Sequence, residues 1–170
     1  MDPLIEALQT PSNLPKLPLF ITGHSKGGAE AMLAAHILSH KLEPAQIAGV
    51  YTFDQPRLFD AGARASYDRI LRPATWRIVN SGDIVPQIPF WHWGYRHAGQ
   101  ECFLPEINAS EDQAGGGLLL NPWWDQTAIS KLNAYIQAFR RRKDVLIEDH
   151  FITNILQRLE SEAALRMSVC

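Results

Sequence analysis

The sequence predicts an α/β fold on a mostly parallel sheet with flanking helices, because short apolar runs alternate with helical stretches along its first half. The runs are Leu17 to Gly23, Ile47 to Phe53 and Trp76 to Val79. The stretches are Lys26 to Lys41, rich in Ala and apolar at helical spacing, and Gly62 to Leu71. Strand, helix, strand, helix, strand demands crossover connections, which pair the strands in parallel. The first run is short, mostly apolar and closed by Gly23, the pattern of a strand buried on both faces.

Beyond Asn80 the periodicity lapses. Pro86, Pro89, Pro105, Pro122 and the triplet Gly115-Gly116-Gly117 punctuate a long loop region, with a strand expected near Gln100 to Leu104. Long irregular segments in compact domains are usually functional. Helical spacing returns through Ile129, Leu132, Tyr135, Ile136 and Phe139, ending at the basic run Arg140 to Lys143, which reads as cations closing a helix. A last amphipathic helix is expected near Asp149 to Leu165, with Ile152, Ile155, Leu156 and Leu159 on one face. With 170 residues, no internal repeat and no linker, residues 1–170 read as a single domain.

Composition excludes several function classes. Lys plus Arg number 16 against 18 Asp plus Glu, for a formal charge of -2, so no cationic field exists to hold nucleic acid. The longest apolar stretches fall far short of the roughly 18 residues of a membrane span, so no transmembrane segment is expected. Cys102 and Cys170 fit neither a disulfide framework nor a zinc spacing. Met1-Asp2-Pro3 lacks the basic start of an export signal, which predicts a cytoplasmic location.

Chemistry concentrates in Gly23-His24-Ser25-Lys26-Gly27-Gly28, a GxSxG elbow where a buried strand meets a helix. Ser25 is the expected nucleophile. The Lys26 backbone N–H, at the start of that helix, is the expected oxyanion donor. A serine hydroxyl needs a histidine to take its proton and a carboxylate to orient the histidine. Asp83 follows the third strand at its carboxyl end and is the expected carboxylate, whereas Asp54 and Asp60 read as turn-holding or helix-capping residues. Among the six histidines, His150 precedes the final helix on a loop and is the favoured base, with His97 as the competing candidate. His24, beside the serine, reads as structural and His36 and His40 as packed or solvated, while His92 and His97 belong to an aromatic loop able to line a cleft.

These segments resemble the class 3, fungal-type lipases of the α/β-hydrolase fold. Phe20 to Ala29 resembles the family's nucleophile motif, with Lys26 where Leu or Gln is usual. Thr52-Phe53-Asp54-Gln55-Pro56-Arg57 resembles its TFGxPR segment, with Asp54 in place of glycine. Arg77 to Asn80, then Asp83 to Pro89, then Gly94-Tyr95-Arg96-His97 resembles its aspartate segment. The resemblance spans residues 17 to 160 and implies Ser25, Asp83 and His150 as catalytic triad, with His97 outside it.

It also implies carboxylic ester hydrolysis through an acyl-enzyme, on small-molecule or lipid esters, with no cofactor and no metal. His24, Trp91, Trp93 and His97 are expected near the substrate, with Phe90, Trp123 and Trp124 as further candidates for an apolar acyl wall. Family members carry a long segment ahead of the elbow, where this chain has 24 residues. The expectation is thus a fold lacking the N-terminal strands, the second oxyanion donor and the lid, acting on short to medium acyl chains. The first strand then becomes a bare sheet edge, which predicts a homo-oligomer formed through it. A catalytically weak remnant serving as an assembly module is the alternative.

Overall fold

The computed structural model describes residues 3–8, 17–80, 83–104, 119–120 and 150–168. Five strands lie in the order β1 (Leu19–His24), β2 (Ile47–Phe53), β3 (Thr75–Asn80), β4 (Gln100–Leu104) and β5 (Leu119–Leu120). The first four pair in parallel and β5 joins β4 antiparallel. The described helices are α1 (Pro3–Leu8), α2 (Lys26–Ser39), α3 (Ala61–Leu71) and α4 (Ile152–Ser168). Every strand and helix expected between Leu17 and Leu104 is present, shifted by two residues at most. The expected helix from Trp123 to Phe139 lies outside the described residues.

Two apolar clusters hold the elements together. In one, Met32, Ala35 and Leu38 of α2 pack with Ile47 and Val50 of β2 and with Tyr67 and Leu71 of α3. Ile5 of α1 joins them, and the Leu8 carbonyl accepts a hydrogen bond from Gln46 Nε2 at 2.9 Å. In the other, Ile78 of β3 and Cys102 and Leu104 of β4 meet Ile155 of α4. This second cluster fixes α4 against the sheet, and with it the residue that precedes the helix, His150.

Strand β3 is buried along almost its whole length, as a strand covered on both faces should be. Strand β1 is not, contrary to expectation: it alternates, with Phe20 62% exposed and Thr22 also exposed. It forms the sheet edge, so among the described residues only β2 pairs with it and nothing covers its outer face. Leu17, Leu33 and Ile37 are likewise exposed.

Candidate active site

The chain turns from β1 into α2 at Ser25, whose φ of 56° and ψ of -129° lie in a region that L-residues rarely occupy. Such backbone survives only where the surroundings impose it. Here the Ser25 N–H donates to the Phe53 carbonyl at 2.9 Å, and the glycines close the gap between strand and helix. A Cβ on Gly23 would collide with the Gly27 carbonyl, and one on Gly28 would stand 2.9 Å from Gln55 Cβ. The serine hydroxyl is thereby carried at the carboxyl end of the parallel sheet. Lys26 occupies the first helical position, where a backbone N–H has no acceptor within the helix. Its side chain stands in solvent against Glu30, 2.8 Å away.

The two other predicted partners arrive from distant parts of the chain. Asp83, 2% exposed, lies beyond β3 and accepts the Val85 N–H on Oδ1 at 2.8 Å. Its Oδ2 is 2.6 Å from His150 Nδ1, and His150 Nε2 is 2.7 Å from Ser25 Oγ. Because an ionised carboxylate only accepts, the Nδ1–H donates to it; in the neutral ring Nε2 then has a free lone pair facing the serine hydroxyl. Residues 25, 83 and 150 thus form a continuous hydrogen-bonded line, serine to histidine to carboxylate.

The remaining histidines sort by their contacts. His24 Nε2–H donates to the His150 carbonyl at 2.8 Å, and the two rings lie 4.8 Å apart at their centroids, so His24 tethers the base. His97 Nε2–H donates to the Pro86 carbonyl at 2.8 Å, which makes it a brace of the loop after Asp83. His36 stacks on Tyr67 with centroids 5.6 Å apart, and burial lowers its pKa. His92 sits in the exposed aromatic turn with Trp91 and Trp93, each of them 64% exposed. Trp123 and Trp124 lie outside the described residues.

Two residues have roles that the sequence reading missed. Arg57 reaches the loop after Asp83, donating to the carbonyls of Gln87 and Pro89, the latter at 3.1 Å, while its backbone N–H donates to the Ile88 carbonyl at 2.8 Å. Asp54, expected to hold a turn or cap a helix, does stand in the turn after β2, but it is fully buried beside Asp83, its Oδ1 accepting the Asn80 N–H at 2.7 Å. Burial first and the Asp83 charge second push its pKa up to about 8. The sequence signals were an acid directly after an apolar strand and its place where the TFGxPR segment has glycine. Asp60 does cap α3, accepting the Ala63 N–H at 2.7 Å.

Asp54, Asp83 and His150 bring ligand-type atoms within 4.8 Å of one another, the one such group among the described residues. A cation there would have to displace the His150–Asp83 hydrogen bond, so the donor set fits proton transfer better than metal binding.

The family model described as Lipase (class 3) matches residues 4–93. A lipase of Rhizomucor miehei is 37% identical over 94 residues, 54% of this chain and 26% of that protein. A secreted mono- and diacylglycerol lipase of Penicillium cyclopium is 32% identical over 107 residues, 63% of this chain and 34% of the relative. The solved lipase of Rhizopus microsporus var. chinensis superposes with a TM-score of 0.54 at 33% identity, over 63% of this chain and 37% of that one. The architecture is therefore that of the fungal lipases, α/β-hydrolase-like as expected. The chain spans well under half the length of these relatives. The Penicillium protein is named as secreted, which overturns the expected cytoplasmic location. That expectation rested on Met1 to Pro3 of a chain aligned with only part of its relatives, so those residues carry no information about export.

Proposed function

The chain belongs to the class 3 lipase family, and on that premise we propose that it hydrolyses carboxylic esters by acyl transfer through Ser25. The observation that carries this reading is the unbroken line from Ser25 Oγ through His150 to Asp83, at 2.7 and 2.6 Å. Ser25 Oγ attacks the ester carbonyl while His150 Nε2 takes the hydroxyl proton. The carbonyl oxygen becomes an oxyanion facing the Lys26 N–H, and Asp83 stabilises the imidazolium. Collapse expels the alcohol, which leaves with the proton from His150. Water then repeats the sequence on the acyl-enzyme and releases the acid. Acidification slows the reaction, because a protonated Nε2 has no lone pair for the serine proton.

Short to medium acyl esters are the proposed substrates, and the mono- and diacylglycerol activity in the Penicillium relative's name is consistent with an acylglycerol among them. The exposed aromatic turn of Phe90, Trp91 and Trp93 supplies an apolar surface for acyl chains. Soluble esters of graded length test this; a rate jump on crossing the solubility limit of the ester contradicts it. Ser25→Ala tests the nucleophile, with an expected loss of at least about 10³-fold in kcat. Turnover that survives the substitution sinks the assignment, whereas a wild type without turnover favours the remnant reading.

The β1 edge, unpaired on its outer side among the described residues, supports a further element of the proposal, homo-oligomerisation. Strand groups there, beside exposed Leu17 and Phe20, favour pairing with a second copy of the chain. Light scattering after size exclusion decides it: a monodisperse monomer at micromolar concentration refutes the association.

A further inference from the structure

Asp54 stands directly after β2 with φ 46°, left-handed backbone where glycine is free of strain and a branched or bulky residue is not. Its side chain is fully buried. Oδ1 accepts the Asn80 N–H at 2.7 Å, and among the described residues no donor reaches Oδ2. Asp83 is its carboxylate neighbour, and the ligand-type atoms of Asp54, Asp83 and His150 cluster within 4.8 Å. Two buried carboxylates this close do not both ionise; the pair keeps one proton. Which of them keeps it follows from their donors. Asp83 is met by the Val85 N–H and by His150 Nδ1–H, both of which favour its anion. Asp54 has the Asn80 N–H alone, and that bond leaves Oδ2 available to carry the proton.

We propose that Asp54 is a positioning residue of this hydrolase, a neutral carboxylic acid whose Oδ2–H donates to the Asp83 carboxylate and holds it as an anion against His150. The proposal rests on the reading of Ser25, Asp83 and His150 as the catalytic set. The groups whose charge acts on Asp54 are Asp83, from the turn after β3, and Arg158, from α4. His150 shares the cluster from the start of α4. Asp83 disfavours ionisation of Asp54, and Arg158 opposes that effect without overcoming it. When Asp54 loses its proton, the donor to Asp83 disappears and a second anion stands beside the first. The rate therefore falls on the alkaline side as well as the acid side.

Carbon-13 NMR of the chain labelled at aspartate carboxyls reads the protonation state without any need for turnover. The signal lost in Asp54→Asn is expected to be that of a protonated acid at neutral pH and to titrate at alkaline pH. Titration in the ordinary aspartate range, near ~3.9, overturns the proposal. In the pH profile of kcat/KM on a soluble ester, the alkaline fall of the wild type is expected to vanish in Asp54→Asn. The amide keeps an N–H for Asp83 and an oxygen for Asn80, tolerates the left-handed backbone and does not ionise. Asp54→Ala, which keeps neither, is expected to lose about tenfold or more in kcat at neutral pH, the worth of one hydrogen bond to a charged group. Thermal denaturation of both variants separates lost folding from lost positioning. An alkaline fall that persists in Asp54→Asn, or equal losses in the Asn and Ala variants with both folded, overturns the role. Full turnover in Ser25→Ala breaks the catalytic reading instead, and the carboxyl signal still decides the state of Asp54.

Discussion

The turns that follow β2 and β3 both place a buried aspartate at the carboxyl end of the sheet, 0% exposed at Asp54 and 2% at Asp83, yet the two carboxyls have opposite characters. Asp83 meets two donors, the Val85 N–H on Oδ1 and His150 Nδ1–H on Oδ2. Asp54 has one backbone donor among the described residues and a carboxylate neighbour, so burial first and that neighbour second push its pKa up to about 8. The difference teaches that burial alone does not assign the role of an acid; the number of N–H groups aimed at it does.

The largest expected effect tests the Asp83 side. Asp83→Asn keeps the shape but presents an amide to Nδ1, which favours the wrong tautomer of His150, and kcat is expected to drop about 10⁴-fold. A loss in Asp54→Asn as great as that in Asp83→Asn breaks the contrast between the two turns.

A second effect sharpens the contrast in stability. In the unfolded chain Asp54 has the ordinary aspartate value of ~3.9, and in the fold burial and Asp83 push it up to about 8. Between these values the folded state holds a proton that the unfolded state lacks, so stability falls as pH rises through the window, by up to ~1.4 kcal/mol per pH unit. Asn at this position does not titrate. The stability gained in Asp54→Asn, measured by denaturant unfolding, is therefore expected to grow from pH 5 to pH 8; a pH-independent difference means Asp54 is ionised throughout.

The smallest effect comes from the third aspartate of this region. Asp60 is exposed and caps α3, so Asp60→Ala is expected to lower stability by about 1 kcal/mol and to leave ester turnover unaltered. Calorimetry and an initial-rate assay check the two halves of that statement.

Much of the fold between Leu17 and Leu104 was legible because its signals are local. Apolar runs of strand length, Ala-rich helical spacing and Gly23, Gly27 and Gly28 around Ser25 are properties of neighbouring residues, and each became the element expected. Ser25, Asp83 and His150 were nominated from chain position and resemblance, and the fold brings them within hydrogen-bond reach. Less legible was whatever depends on which surfaces meet. Phe20 is apolar in sequence but exposed in the fold, because cover comes from neighbouring elements and not from the strand itself. His24 and His97 are expected near the substrate, and the fold adds what spacing does not announce: each ring donates to a backbone carbonyl, that of His150 and that of Pro86.

The sequence by itself determined the strand–helix alternation, the strained turn at Ser25 and the residue types able to pass a proton, since these follow from spacing, glycine placement and side-chain chemistry. Only the tertiary structure decided what stands beside what: α4 packing against β3 and β4, His150 lowered between Ser25 and Asp83, and Asp54 brought beside the Asp83 carboxylate. The physical reason is that desolvation, charge–charge repulsion and hydrogen bonding act through space, over a few ångströms, as between Ser25 and His150, 125 residues apart along the chain.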